Sequence, residues 1–190
     1  MLSVLGIKRL EEADYEADDV LGTIAEKYAS KQLEVVLVTG DKDAYQLVGR
    51  NVSIYANKKG ITEFEIYDEK AVKEKLGLSP QQVIDYMALT GDTSDNIPGV
   101  RGVGEKTAQR LISDYGSLDN IYAHLAEIKG KLKETLKENR EMAYLSRDLV
   151  TIRTKLPVEI DLEEARPPVL RDKKAYEYFM GLEMKSIAQE

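Results

Sequence analysis

Residues Thr90 to Ala108, with the sequence TGDTSDNIPGVRGVGEKTA, constrain the fold of this chain more than any other segment. Gly91 ends an apolar helical pattern. Gly102 and Gly104 bracket a tight turn that opens the next helix, because glycine adopts backbone conformations that other residues avoid. The segment therefore predicts two helices joined by a loop, with carboxylates placed close to backbone amides at a helix start.

The composition is that of an ordinary soluble globular protein, and it excludes several kinds of site. Of 190 residues, 43% are hydrophobic and 32% are charged, and 27 basic against 34 acidic residues give a net charge of −7. This balance is weak evidence against a nucleic-acid partner, since binding depends on local patches. The chain has no cysteine and one histidine, His124, which excludes disulfides, thiolate zinc sites, cysteine nucleophiles and histidine-rich metal sites. No apolar run reaches the roughly 18 residues of a membrane helix, and no secretory signal is evident, so we predict a cytoplasmic protein without a membrane partner.

The pattern along the chain predicts an α/β part over residues 1–90 and a mostly helical part over residues 91–190. Helical periodicity at Tyr15–Ala29 precedes the β-branched run of Glu34–Thr39, which suits a strand buried on both faces of a parallel sheet. Further strands are predicted near residues 52–55, 61–66 and 149–153. Further helices are predicted after the caps Asp68, Ser79 and Ser117, over Gly104–Tyr115, over Lys129–Ser146 and, beyond a linker at Pro167–Pro168, over Lys173–Leu182. With one convincing central strand, the sheet has fewer strands than a parallel sheet needs.

Three groups of acidic residues suggest a metal site. They are Glu16, Asp18 and Asp19 at a helix start, Asp41 and Asp43 after the buried strand, and Asp92 and Asp95 in the loop after Gly91. The carboxyl ends of parallel strands are where α/β proteins place their sites, and two carboxylates two residues apart on an extended segment point the same way. Ligation by oxygen alone favours hard cations such as Mg²⁺ or Mn²⁺, and so many carboxylates without a cation would repel one another.

Each acidic group also has a structural interpretation. Acidic residues in a first helical turn complement the helix dipole, and aspartates in turns accept hydrogen bonds from nearby backbone amides. A calcium loop that begins at Asp41 is excluded, because Gln46 and Val52 occupy the positions of its glycine and its glutamate.

The glycine-rich turn is typical of a helix-hairpin-helix. A dinucleotide fingerprint would have to follow a strand, whereas Gly99–Gly104 follows a helix. The free amides after Gly104 can bind one DNA phosphate independently of base sequence, and the turn carbonyls could hold a monovalent cation such as K⁺. A plain helical hairpin without a ligand is the alternative. The residues predicted to contact DNA are Arg101, Gly102, Val103, Gly104, Lys106, Thr107 and Arg110.

Four motifs in order closely resemble the 5′-nuclease domain of bacterial DNA polymerase I, of the flap-endonuclease family. They are Tyr15–Leu21 (YEADDVL), Thr39–Asp43 (TGDKD), Thr90–Gly99 (TGDTSDNIPG) and Gly102–Ala108 (GVGEKTA). The similarity continues through residues 143–146 and 149–152 to the region around residues 181–183 and covers nearly the whole chain. It implies an α/β fold with a PIN-like 5′-nuclease sheet, incomplete at its N-terminal side, followed by a helical helix-hairpin-helix (H3TH) region.

The resemblance implies a two-metal phosphodiesterase with 5′→3′ exonuclease and structure-specific flap-cleavage activities on DNA. The first metal would be served by Glu16, Asp18 and Asp19, directly or through water, and the second by Asp41, Asp43, Asp92 and Asp95. The metals would activate a water and stabilise the leaving oxygen. The hairpin at residues 102–107 would grip the duplex downstream of the cut, and a DNA polymerase, attached or separate, is an expected partner.

In the family a further segment precedes the position that matches Leu5, and we expect this chain to lack that segment. In the family that segment carries two strands, each with an aspartate of the first metal site, and a basic arch that threads the 5′ end. We therefore expect the second metal site and the hairpin to be retained, and cleavage by this chain alone to be weak or absent. Two other functions stay open: a non-catalytic DNA-binding module, and a structural fragment that needs a partner chain to complete its sheet.

Overall fold

The structure, a computed structural model, describes residues 1–59, 63–166 and 173–188. Its helices and strands are α1 (Ala17–Tyr28), β1 (Val35–Val38), β2 (Val52–Lys59), β3 (Glu63–Tyr67), α2 (Glu69–Leu76), α3 (Val83–Thr90), α4 (Glu105–Tyr115), α5 (Leu118–Ala123), α6 (Lys131–Glu138), α7 (Arg140–Val150), α8 (Lys173–Gly181) and α9 (Lys185–Ala188). Two 3₁₀ helices span Asp43–Leu47 and Pro80–Gln82. Within the described ranges, every helix is too short or too polar to cross a membrane. The predicted order, α/β first and then mostly helical, is confirmed.

The sheet of the described residues has three strands in the order β1-β2-β3. β1 runs parallel to β2, with Leu37 opposite Ile54, whereas β2 and β3 are antiparallel. The predicted parallel sheet is thus present in the β1–β2 pair, whereas β3 is antiparallel because only residues 60–62 separate it from β2. A parallel pair needs a crossover of a dozen or more residues. Residues 61 and 62 of the predicted third strand lie outside the described residues.

Among the described residues, β1 is covered on one face only. Leu37 is 3% exposed and shares a core cluster with Ala25 of α1, whereas Val36 is 51% exposed and Val38 is 70% exposed. The prediction of a strand buried on both faces is therefore wrong for the described residues. A continuous apolar run shows that a strand can be buried, but it does not show which elements cover each face.

Three predictions for the C-terminal half had different outcomes. The strand predicted at residues 149–153 is wrong, because α7 continues to Val150 and the chain then runs irregularly along α1. There the Thr23 hydroxyl accepts a hydrogen bond from the Leu156 amide at 3.2 Å. The single helix predicted over residues 129–146 is interrupted at Asn139, whose side-chain amide donates to the Thr135 carbonyl at 2.8 Å. The linker predicted at Pro167–Pro168 lies outside the described residues.

Capping side chains start the helices where the sequence predicts them. The Asp68 carboxylate accepts a hydrogen bond from the Ala71 amide at 2.8 Å, and the Ser117 hydroxyl accepts one from the Asn120 amide at 3.2 Å. Each cap satisfies a backbone amide that the first turn of a helix leaves without a partner.

Two clusters of buried side chains meet at α3. Val83 and Met87 belong to the cluster that packs the sheet against α1 and α2, whereas Ala88 and Leu89 belong to the cluster of the helical half. α3 also packs along α7. α3 is therefore packed against both clusters, and it fixes the start of the loop that follows it.

Candidate metal centre and nucleic-acid surface

The structure brings together three of the predicted acidic residues, Asp43, Asp92 and Asp95. One carboxylate oxygen of each lies within 4.8 Å of the other two. Asp43 begins the 3₁₀ helix after β1, and the other two lie in the loop after α3. Asp43 and Asp92 are half-buried and Asp95 is exposed. Asp43 lies at least 49 residues before the other two aspartates in the sequence, so only folding brings the three together.

The surroundings of Asp43 oppose a negative charge and would favour a bound cation. Burial, followed by the charges of Asp41, Asp92 and Asp95, raises the pKa of Asp43 to about 7. Its Oδ1 atom is buried and has no hydrogen-bond partner among the described residues. A buried polar atom without a partner is costly, and hard divalent cations bind carboxylate oxygens. The donor set and this unpartnered oxygen therefore fit a divalent metal ion.

The loop from Gly91 to Gly99 is closed by its own backbone. The Asp92 amide donates to the Ile97 carbonyl at 3.0 Å, and the Ile97 amide donates to the Asp92 carbonyl at 2.7 Å. Gly91 has φ +70°, and a Cβ atom there would lie 2.4 Å from the Ile97 carbonyl oxygen. Only glycine fits this position, which sets the direction in which the chain enters the acidic loop.

Asp92 is held in its ionised form by Ser94. The Ser94 hydroxyl and the Ser94 amide both donate to Asp92 Oδ1 at 2.7 Å. These hydrogen bonds, the hydroxyl first, lower the pKa of Asp92. Asp92 therefore carries a negative charge beside Asp43, whose ionisation is opposed.

Ser146 supports the loop from α7, and sequence reasoning did not identify this role. The Gly99 amide donates to the Ser146 hydroxyl at 3.0 Å, and Ser146 is fully buried. Ala143 and Val150 are buried on the same face of α7. A polar residue at a core-facing helical position is the signal that could have indicated a buried hydrogen bond.

The acidic residues of α1 have different surroundings. Burial and then the charge of Asp41 raise the pKa of Asp18, and Glu16 contributes in the same direction. Asp19 instead accepts from the Arg153 amide at 2.7 Å and from the Glu16 amide at 3.3 Å. The charge of Asp18 thus interacts with that of Asp41 after β1, whereas Asp19 joins α1 to the segment after α7.

Asp41 shapes the turn after β1. Its Oδ1 atom accepts from the Asp43 amide at 2.9 Å, and the Asp41 amide donates to the Thr39 hydroxyl at 3.1 Å. Lys42, between the two aspartates, has a helical backbone with φ −76° and ψ −25°. The prediction that Asp41 and Asp43 point the same way from an extended segment is therefore wrong, because the local hydrogen bonds of Asp41 favour a turn.

The turn before α4 is tight and leaves backbone amides free at the helix start. Gly102 has φ +89°, and the Val103 amide donates to the Val100 carbonyl at 2.9 Å. Gly104 precedes α4, and its carbonyl accepts from the Thr107 and Ala108 amides, both at 3.0 Å. The amides of residues 105 and 106 make no backbone hydrogen bond within the described part of the chain. Such free amides at a helix N-terminus favour an anion.

The predicted DNA-contacting residues occupy three environments. Arg101, Gly102, Thr107 and Arg110 line a groove towards α6, whereas Gly104 and Lys106 line a cleft shared with Asp92. Val103 is 4% exposed, and its amide is used within the turn. The structure therefore leaves Val103 no side-chain surface for DNA, because this side chain packs in the helical core.

Comparison with known proteins assigns the chain to a family. The model described as "5'-3' exonuclease, N-terminal resolvase-like domain" matches residues 1–77, and the model described as "5'-3' exonuclease, C-terminal SAM fold" matches residues 78–173. The chain belongs to the 5′-3′ exonuclease family, a family of metal-dependent 5′-nucleases.

DNA polymerases I are among its sequence relatives. DNA polymerase I of Bacillus caldotenax is 47% identical over 165 residues, covering 86% of this chain and 19% of the relative. DNA polymerase I of Lactococcus lactis is 44% identical over 192 residues, covering 100% of this chain and 22% of the relative. The chain spans about a fifth of the length of these curated relatives.

Solved structures of T5 5′-exonuclease and of the Rad2 catalytic core share the fold. T5 5′-exonuclease with bound zinc ions has a TM-score of 0.62 and 27% identity, covering 74% of this chain and 51% of that chain. The catalytic core of Rad2 with a DNA substrate has a TM-score of 0.60 and 20% identity, covering 100% of this chain and 62% of that chain. The expected fold class, an α/β 5′-nuclease sheet followed by a helical hairpin region, is confirmed.

Proposed function

We propose that this chain is the 5′-nuclease part of a DNA polymerase I-like protein and that it hydrolyses phosphodiester bonds of DNA at a 5′ end or a 5′ flap. The observation that carries the proposal is the meeting of Asp43, Asp92 and Asp95 at one end of a loop whose other end is the hairpin turn. A hard cation held in part by Asp92 and Asp95, and a phosphate held by the hairpin turn, would thereby contact the same loop. Family membership supports the chemistry, and the DNA complex of Rad2 supports the partner.

Mg²⁺ or Mn²⁺ is the cofactor that we propose for this site. Asp43, Asp92 and Asp95 would hold one ion, and Glu16, Asp18 and Asp19 would serve another, directly or through water. When bound, such ions generate a nucleophilic water and stabilise negative charge on phosphate oxygens. Ser94 keeps Asp92 ionised and oriented towards its neighbours, and Asp41 holds the turn that presents Asp43.

The hairpin is the proposed grip on duplex DNA. The free amides at the start of α4 would receive one phosphate, and Arg101, Lys106 and Arg110 would add positive charge. We also propose a K⁺ ion at the turn carbonyls and a cytoplasmic location. A polymerase region, in the same or another chain, is the proposed protein partner. None of these contacts reads base identity, so binding would depend on salt and little on sequence.

A cleavage assay on a 5′-flap DNA substrate tests the proposal. We expect weak cleavage that requires a divalent cation and that falls at least about 100-fold in Asp92→Asn, with DNA binding retained. The control is Asp114→Asn, which removes an equal charge from an exposed position in α4. DNA binding without cleavage in any divalent metal would contradict the proposal and favour a non-catalytic DNA-binding module. Neither binding nor cleavage would favour a structural fragment.

A further inference from the structure

A groove with basic side chains lies between the hairpin turn and α6. Arg101, Thr107 and Arg110 line the hairpin side, and Lys131 and Thr135 belong to the α6 side. Neither sequence motifs nor family matches single out α6 as a binding element. The groove nevertheless continues the surface that the proposed function assigns to DNA.

α6 presents one face to this groove. Lys131, Thr135 and Glu138 follow one another at spacings of four and three, which places them on the same side of a helix. Leu136 is fully buried and holds the helix against the helical core. Lys137 is exposed on α6 but does not line the groove. The groove face is therefore fixed by packing.

The cationic side chains of the groove have no ion-pair partner in the described part of the chain. Arg101, Arg110 and Lys131 form no ion pair with any described residue. Among the described residues that line the groove, one is acidic, Glu138. Several cations along one concave surface produce a positive potential that attracts an extended anion, in a chain whose net charge is −7. A phosphate backbone supplies such an anion.

We propose that α6 is the second wall of the DNA-binding groove and that Lys131 contacts a backbone phosphate of the duplex that the hairpin holds. The inference rests on the proposed function and extends it by naming a contact outside the hairpin. Glu138, at the other end of the same helical face, opposes this binding through its negative charge. The two residues therefore give opposite and separately measurable effects.

The first test removes the cation. Binding of a fluorescent duplex oligonucleotide is measured in EDTA, which prevents cleavage, over a range of salt concentrations. Lys131→Gln should weaken binding roughly two- to tenfold and lower the slope of log K against log salt by about 1, while Lys131→Arg keeps both. Lys137→Gln is the matched control, with the same charge change on the same helix outside the groove, and should have a smaller effect.

The second test removes the opposing charge. Its expected result is tighter binding, which a misfolded variant would not give. Glu138→Gln should tighten binding roughly two- to tenfold, whereas Glu26→Gln, at an exposed position of α1 outside the groove, should change it less. Equal effects at groove and control positions would overturn the inference. Binding that is weakened by Arg101→Gln but unchanged in Lys131→Gln would overturn it and leave the proposed function standing. Absence of duplex binding by the unchanged chain would overturn both.

Discussion

At Asp43, burial and neighbouring carboxylates oppose ionisation, and its pKa is raised from 3.8 to about 7. Between these values the folded, metal-free protein holds a proton that the unfolded chain has released. The free energy of unfolding therefore falls as the pH rises from about 4 through 7, because the folded state must lose a proton that it binds more tightly. A divalent cation bound to the carboxylates would favour the ionised form and oppose this loss.

Replacing Asp43 with asparagine should stabilise the metal-free protein at pH 8 by about 1–2 kcal/mol and change little at pH 4. The gain is smaller than the pKa shift alone implies, because the side chain is partly exposed and solvent screens its neighbours. Thermal melts at both pH values in EDTA measure the effect. Added Mg²⁺ should raise the melting temperature of the unchanged protein but not that of Asp43→Asn. A pH-independent difference equal to that of Asp114→Asn would contradict the prediction.

Ser146 should matter to the acidic loop although it lies outside it. Ser146→Ala leaves the buried Gly99 amide without its acceptor, which costs about 1–3 kcal/mol of stability. Because Gly99 ends the loop that carries Asp92 and Asp95, the affinity for Mg²⁺ should fall as well. Denaturant unfolding and calorimetric metal titration measure the two effects. Ser113→Ala, at an exposed position in α4, is the control and should alter neither.

At the scale of elements, α7 joins α3 and α5 through Arg147. Its guanidinium lies 2.9 Å from an Asp119 carboxylate oxygen and 3.9 Å from one of Asp85, and 4.6 Å from the ring centre of Tyr144. Asp85 also accepts from the Leu118 amide at 3.0 Å. Burial raises the pKa of Asp85, and the Leu118 amide and Arg147 oppose that rise.

Replacing Arg147 with alanine should destabilise the protein by about 1–3 kcal/mol at pH 7, mainly because Asp85 keeps a half-buried charge with one fewer partner. The loss should shrink as the pH falls and Asp85 takes up a proton. In a double-mutant cycle, coupling of Arg147 to Asp119 should stay below about 1 kcal/mol, since Asp119 is 64% exposed. Lys155→Ala, at an exposed position, is the control. A loss that does not depend on pH would assign the role of Arg147 to packing on Tyr144.

At the scale of the whole molecule, α3 joins the two core clusters. Met87 and Leu89 are both buried, one in each cluster, and lie two residues apart. The division into parts at residues 1–90 and 91–190 is a prediction that unfolding experiments can address. Since one helix supplies both cores, we expect the two halves to unfold together.

Leu89→Ala should lower the free energy of unfolding by about 2–5 kcal/mol while leaving a single transition. Scanning calorimetry, with agreement between the calorimetric and van't Hoff enthalpies, measures this. Met87→Ala should act in the same way from the sheet side. Two separate transitions in either variant, with only one of them displaced, would show that the halves are independent units.

Local sequence patterns were sufficient for several elements and for the nature of the chemistry. The caps Asp68 and Ser117 and the turn at Gly102 depend on hydrogen bonds and backbone angles within a few residues, so their sequence predicts them. The absence of cysteine and the scarcity of histidine likewise limit a metal site to oxygen ligands. These properties depend on the composition of the chain and on residues that are close together in the sequence.

Contacts between distant residues were beyond such patterns. The sequence could not show that the charge of Asp41 opposes ionisation of Asp18, or that Asp19 accepts from the Arg153 amide. Nor could it show that Ser146 supports Gly99, that Val38 is exposed, or that Lys131 lies across a groove from Arg101. The sequence determined which side chains are available as metal ligands and which local turns carry them. Only the packing of α1, α3, α6 and α7 decided which of those groups meet, because burial, hydrogen-bond partners and mutual charge depend on distances between segments that are far apart in the chain.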